Sequence, residues 1–272
     1  FEQAAEQAKR NRAAYVRDSA LHQNALLRLT EQIRNCMLIH QQPEDILARE
    51  GRLDGTRVWR APVLHDGRVF LRRDEESRAG FTVDLMLDAS ASRLHCQETI
   101  AIQGYILAKS LASCGIPVRV TSFCSLRGYT VLRILKDFSD KNGERNVFNY
   151  FAAGWNRDGL ALAAAGLDLK KRREEHKIII VFSDGLPNDM VSGRKREDAP
   201  ETYVGDAAIR DTCFQVRKLR REGVHVLGIF LGEDGELENE RMIYGASFLR
   251  IRRAEDFAGS AGRKLSELLL SL

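Results

Sequence analysis

The chain predicts an α/β fold, a Rossmann-like, doubly wound and mostly parallel sheet, and three observations predict it. From about residue 78 onward, short apolar runs alternate with longer amphipathic segments, the pattern of β-α-β units that cover a sheet with helices on both faces. At Gly115-Ile116-Pro117 and again at Glu222-Gly223-Val224 a glycine stands where a helix stops and a strand starts, as a left-handed cap residue does. The run IIIVF at Ile178–Phe182 is apolar without a break, as a strand covered on both faces requires.

Each element follows in order. Phe1 to about Glu50 is rich in Glu, Gln, Ala, Arg and Leu, and Leu26, Leu29, Ile33, Met37 and Leu38 recur at helical spacing, which predicts two helices. Between Arg57 and Arg72, VWRAPVL and RVFLR flank His65-Asp66-Gly67, and an Asp-Gly pair between β-prone runs predicts a β-hairpin. The charged stretch Arg72 to Gly80 breaks the pattern, so the boundary is set near Arg78. Residues 1–77 are then an extension of helices plus β-hairpin, and residues 78–272 the main domain. Its strands are expected at Thr82–Leu87, Val118–Phe123, Tyr129–Leu135, Ile178–Phe182, Val224–Phe230 and Phe248–Ile251. Helices are expected over Leu94–Cys114, Gly159–Arg173, Tyr203–Glu222 and Ala254–Leu272.

The bulk numbers exclude several classes. A chain of 272 residues, 44% hydrophobic and 29% charged, can bury a large core, which argues against disorder. A net charge of +4 demands no nucleic acid. The five cysteines are scattered and form no C-x-x-C pair, which disfavours a disulfide framework and a zinc site and fits a reducing, cytoplasmic setting. No apolar run approaches the roughly 20 residues of a membrane helix, and no signal-peptide pattern opens the chain. A chain that opens on Phe1 rather than Met reads as a fragment of a longer protein.

In an open parallel sheet, ligands sit beyond the carboxyl ends of the strands. Three loops there carry polar residues. After the first strand, Asp88, Ser90 and Ser92 set a carboxylate and two hydroxyls at alternate positions. After the IIIVF strand comes Ser183-Asp184-Gly185, and between them Asn156 and Asp158 open a helix. Each string alone is an ordinary turn or cap. Together, each directly after an element of the right type, they are hard oxygen donors that suit Mg²⁺, with Mn²⁺ or Ca²⁺ as alternatives.

These residues resemble the metal-ion-dependent adhesion site of von Willebrand factor A domains: D-x-S-x-S, then a Thr loop, then an aspartate in a T/S-D-G loop. The likeness places Asp88, Ser90, Ser92 and Asp184 around the cation. Ala91 stands where Gly is usual, and the Thr position falls on Asn156, with Asp158 two residues on, so either could meet the metal. Residues Gly51 to Arg60 and the N-x-D-G-x-A-L string from Asn156 to Leu162 are similar to a bacterial branch that contains NorD and CobT. That resemblance implies a protein-protein interaction module whose cation takes an acidic residue of a partner. It also implies work beside a MoxR-type AAA+ ATPase that activates a target metalloenzyme or loads its metal.

Two other functions compete. A Mg-dependent hydrolase would need a general base or activated nucleophile; Ser90 and Ser92 are better spent as ligands and His95 is the one nearby imidazole, so no enzyme is expected. An RNA-binding role would rest on the basic runs Lys170–Arg173, Arg217–Arg221 and Arg250–Arg253, but the first two fall at helix C-termini, where the helix dipole favours cations. No G-x-x-x-x-G-K-[ST] phosphate loop occurs. Trp155 and Tyr203 read equally as interface anchors or as buried aromatics, and Met190 to Val204 as a partner-contacting loop or an insertion.

Overall fold

The structure is a computed structural model that describes residues 2–40, 45–73, 80–189, 203–232 and 234–272. Two helices come first, α1 (Glu2–Arg17) and α2 (Ser19–His40), followed by the short strands β1 (Asp45–Ala48) and β2 (Arg52–Leu53), the helix α3 (Arg60–Leu64) and β3 (Phe70–Arg73). The main sheet begins with β4 (Phe81–Asp88), then α4 (Gln97–Ser113), β5 (Val118–Leu126), β6 (Tyr129–Lys136), α5 (Asp158–Leu169) and β7 (His176–Ser183). The chain ends with α6 (Gly205–Arg221), β8 (Val224–Phe230), α7 (Leu237–Tyr244), β9 (Phe248–Arg250) and α8 (Phe257–Leu270).

Six strands lie in the order β6-β5-β4-β7-β8-β9, all parallel except β6, which pairs antiparallel with β5. Each expected strand is present within a few residues. The two-residue period of the strands divides the core. Val83, Leu85 and Leu87 of β4, with Ile178, Ile180 and Phe182 of β7, join α4, α8 and α2 on one face. Met86, Ile179 and Val181 point the other way, toward Ala161, Leu162 and Leu169 of α5 and Ile209 and Val216 of α6. Polar Asp84 also sits in β4, where its neighbour in the register is Arg119 of β5, and the two form a buried ion pair at 2.6 Å.

Leu29, Ile33 and Cys36 of α2 belong to the same buried cluster as Leu107 and Leu111 of α4 and Leu265 and Leu269 of α8. Asn11 of α1, fully buried, donates from Nδ2 to the carbonyls of Phe148 and Tyr150 at 2.9 and 3.0 Å. The boundary placed near Arg78 and the segment 190–202 lie outside the described residues.

The expected hairpin over Arg57–Arg72 is not what forms. Only its second arm is a strand; β3 pairs antiparallel with β1 and β2 from upstream, and residues of the first arm fold into α3. Pro62 has no N–H to give a ladder. His65 ends α3 in a left-handed conformation, and the Asp66 carboxylate accepts from Arg68 N at 3.1 Å instead of opening a two-residue hairpin turn. Helix α7 carries no strong periodic signal in sequence and is not among the expected elements. The expected end of α5 at Arg173 comes earlier, at Leu169.

Because Leu29 is fully buried between helices, Leu29→Ala is expected to lower unfolding stability by about 2 to 5 kcal/mol. Urea denaturation followed by circular dichroism measures it, and a cost within about 0.5 kcal/mol would show that α2 lies outside the core.

Candidate metal centre

Strand order reverses between β4 and β7, and the loops that leave both strands meet in the crevice outside that switch point. At the end of β4, the Asp88 carboxylate accepts from Ser90 N at 2.9 Å and Ser90 Oγ at 3.0 Å, which closes the loop tightly on itself. Ser90 Oγ lies 2.8 Å from Ser92 Oγ, and Ser92 Oγ donates to Asp184 Oδ2 at 2.7 Å. A continuous string of oxygens therefore runs from Asp88 to Asp184. Asp88, Ser90 and Asp184 are buried, while Ser92 is exposed and opens the string to solvent.

Asp184 follows β7 directly, and its Oδ1 accepts from Leu186 N at 3.0 Å. Gly185 then turns the chain with φ +72, where a Cβ would meet the Glu240 side chain at 3.2 Å.

The third loop is stitched across the other two. Ala153 N donates to Ala89 O at 2.7 Å and Ala91 N to Gly154 O at 2.9 Å. Gly154, at φ +76, lets this crossing happen: a Cβ there would stand 2.4 Å from the Ser125 carbonyl oxygen. Asn156 and Asn188 exchange backbone hydrogen bonds at 2.9 and 3.0 Å. The Asn156 side chain is used twice, its Oδ1 accepting from Asn188 N at 3.0 Å and its Nδ2 donating to Asp158 Oδ1 at 2.9 Å. Asp158 Oδ2 accepts from Ser183 Oγ at 3.4 Å. Of the six residues singled out in the sequence, Asp88, Ser90, Ser92 and Asp184 form one connected string. Asp158 stands beside it through Ser183, and Asn156 is a brace that ties two loops and aims Asp158.

The electrostatics set this crevice apart. Burial raises the Asp88 carboxyl well above the usual carboxylate range, and the charges of Asp184 and Asp158 push it further. Burial, then Asp184, raises Asp158 to about 7. Sequence reasoning missed three further residues here. Glu240 of α7 is fully buried, its carboxyl pushed well up by burial and by Asp158 and Asp184, and neither of its oxygens has a hydrogen-bond partner among the described residues. The Ser183 hydroxyl, which works weakly against that rise, is directed at Asp158. Tyr150 donates its hydroxyl to the Asp88 carbonyl. Arg93, 6% exposed, pairs with Asp184 at 2.6 Å. Arg93 was legible as the residue after the D-x-S-x-S string, whereas nothing in LENERMIY marks Glu240 as buried.

The residues fit a hard divalent cation on two counts. Ser90 Oγ, Ser92 Oγ and Asp184 Oδ2 are spaced 2.8 and 2.7 Å, close to the edge of about 3.0 Å in an oxygen octahedron with bonds of about 2.1 Å. Buried carboxylates in excess of nearby buried cations call for positive charge. Among the described residues, no three His, Cys, Asp or Glu side chains are grouped closely enough to hold an ion by themselves, so both hydroxyls are indispensable to such a set.

No family model matches the chain. A stretch of 128 residues, 46% of the chain, is 25% identical to Protein NorD of Brucella abortus (strain 2308), and the match spans 19% of that protein's length. The vWF domain of the type V pili tip protein Mfa5 from Porphyromonas gingivalis superposes with a TM-score of 0.51 at 13% identity over 70% of this chain and 95% of that one. Manganese-loaded TRAP protein of Plasmodium vivax gives 0.50 at 14% identity, over 71% of this chain and 74% of that one. At these identities the likeness is one of fold: the sheet and its helices have the von Willebrand A-type arrangement.

Asp158, with a native pKa of about 7 against an ordinary 3.8, binds its proton more tightly folded than unfolded, so its carboxyl favours the fold at low pH and that contribution is lost as pH rises through 7. With chelator present, Asp158→Asn is therefore expected to gain thermal stability relative to wild type as pH rises from about 4 to about 7, with a constant difference above. Paired melting curves across that range check it; a difference that shrinks with rising pH would contradict the raised carboxyl.

Proposed function

We propose that the chain is a protein-protein interaction module that docks an acidic side chain of a partner at a divalent cation, and that it is not an enzyme. The observation that carries this reading is the string Asp88-Ser90-Ser92-Asp184, buried at its acidic ends and open to solvent at Ser92. Asp88, Ser90, Ser92 and Asp184 would hold the ion, with Asp158 beside them and Asn156 aiming Asp158. When bound, Mg²⁺, or Mn²⁺ or Ca²⁺ in its place, supplies a hard positive centre with an exchangeable position that a carboxylate can enter.

The chain's own residues support binding over catalysis. Ser90 and Ser92 spend their hydroxyls on carboxylates and on each other, and His95 is exposed rather than directed at either serine by any hydrogen bond among the described residues. Trp155 and Leu186, both exposed, belong to two of the three loops and give a partner apolar contacts beside a polar centre. Tyr203, by contrast, is buried and donates its hydroxyl to Asp211 at 2.8 Å.

An RNA surface has weaker support, because parts of each basic run are engaged. Lys170 pairs with Glu222, Lys171 with Asp168, Arg172 with Glu174, Arg250 with Asp234 and Arg253 with Glu255. Arg220 turns inward to the carbonyls of Val226 and Tyr244.

The similarity to Protein NorD, with the resemblance of residues Gly51 to Arg60 and Asn156 to Leu162, extends the reading to a MoxR-type AAA+ ATPase and a target metalloenzyme. Five free cysteines suit a reducing compartment, and the cytoplasm is the location this reading assigns. Among the described residues no helix is long and apolar enough to cross a membrane.

Calorimetry with Mg²⁺ and Mn²⁺ tests the site. Wild type is expected to bind, and Asp88→Ala and Asp184→Ala to lose binding while circular dichroism shows them folded; a wild-type chain that binds neither ion would overturn the cation reading. Co-purification with the MoxR-type ATPase of the same organism tests the partner. Loss of the complex in chelator and in Asp184→Ala is expected, and a complex indifferent to both would remove the ion from the interface.

A further inference from the structure

Arg93 is the residue that a simple cation site leaves unexplained. It lies in the short 3-10 helix Ala91–Cys96, next to Ser92, yet its long side chain is buried rather than extended into water. Its Nη2 is 2.6 Å from Asp184 Oδ2, its Nε donates to Ser92 Oγ at 3.3 Å, and its Nη1 donates to the Leu231 carbonyl at 3.2 Å. The first two partners are atoms that the divalent ion would need. The planar fork of a guanidinium suits several fixed oxygens at once.

We infer that the Arg93 guanidinium is the resident cation of this site, and that a divalent ion binds only by displacing it from Asp184 and Ser92. The inference rests on the cation reading above and deepens it.

Charge and geometry both require the exchange. An arginine and a divalent ion cannot share Asp184 Oδ2 and Ser92 Oγ, because two positive centres would be packed against the same pair of oxygens. Without either cation, the buried Asp184 carboxylate would keep only the Ser92 hydroxyl and the Leu186 N–H among the described residues to offset its charge. An exit for the side chain exists: Ser92, Leu94 and His95 around it are exposed, and Leu231 is only partly buried, so water can take over the freed carbonyl. Displacement also has a consequence away from the ion. With Arg93 in place, the loop after β4 is tied to the loop after β7 through Asp184 and to the end of β8 through Leu231. Its departure releases the Leu231 carbonyl, while Leu231 N keeps its bond to Ser183 O at 3.0 Å. The latch lowers apparent ion affinity by the fraction of molecules in which it is closed.

The test compares Mn²⁺ affinity of wild type and Arg93→Gln by calorimetry, with melting curves in chelator, and follows the Arg93 Nε–H resonance of wild type during a Mg²⁺ titration. Arg93→Gln is expected to bind Mn²⁺ about tenfold or more tightly. It is expected to melt lower than wild type in chelator and to regain that loss with Mn²⁺, and the wild-type resonance is expected to move as Mg²⁺ saturates. Equal or weaker Mn²⁺ affinity in a folded Arg93→Gln overturns the latch but leaves the cation site standing, since wild type still binds. Absence of binding in both proteins overturns latch and cation site together. Should Arg93→Gln not fold, the wild-type titration decides alone: a resonance unmoved at saturating Mg²⁺ overturns the latch, and one that shifts supports it.

Discussion

Burial of several carboxylates at one end of a sheet is the constraint around which this molecule is arranged. Asp88, Asp158, Asp184 and Glu240 are all buried, and for Asp88, Asp158 and Glu240 desolvation and neighbouring carboxylates work against ionisation. A fold tolerates such a cluster when hydrogen bonds, protons or cations offset its charge. Here hydrogen bonds and a cation are in place, the Ser90 N–H and hydroxyl on Asp88 and Arg93 on Asp184, and burial with neighbouring charge raises the Asp158 carboxyl to about 7. A cluster held this way is poised to accept a stronger positive centre, which is why the same atoms support the reading of a docking site.

The rigidity that such a site demands comes from distant parts of the chain. Asn11 of α1 holds the carbonyls of Phe148 and Tyr150; Tyr150 in turn donates its hydroxyl to the carbonyl of Asp88. Gln97 at the start of α4 accepts from Ala152 N at 2.8 Å, fixing the segment that leads to Gly154. Backbone bridges from Ser125 to Trp155 and from Asn156 to Asn188 complete the clamp. The N-terminal helices thus act on the site through the hydrogen bonds of Asn11 and a shared apolar cluster, although no side chain of theirs is among the candidate ligands. Preorganised donors of this kind cost little rearrangement when an ion or a partner arrives.

What surrounds the hydroxyls supports the proposal of binding over chemistry. A serine nucleophile needs a base within hydrogen-bond reach, and the bonds made by Ser90 and Ser92 run to carboxylates and to each other. The basic runs follow a similar logic in reverse. Lys170, Lys171, Arg172, Arg250 and Arg253, which look in sequence like parts of a polyanion surface, pair with neighbouring acids, and Arg220 turns to the carbonyls of Val226 and Tyr244.

The sequence by itself determined the sheet and the loops. Strand periods, glycine stops and an unbroken apolar run are local properties, set by steric limits and by burial on one or both faces, and they placed six strands and the Asp88, Asp158 and Asp184 turns within a few residues. Tertiary structure decided what local pattern cannot carry. Which strand β3 pairs with depended on competition among distant segments, so the Asp66-Gly67 hairpin lost to β1 and β2. The bonds of Asn156 depended on Asn188 across the crevice, whose N–H takes up the amide oxygen while the amide nitrogen donates to Asp158. Glu240 and Arg93 are ordinary charged residues in sequence, an acid on a short polar helix and a cation after a serine. Only packing removes water from both, and a charge acquires its meaning from the solvent it loses and the partner it then meets.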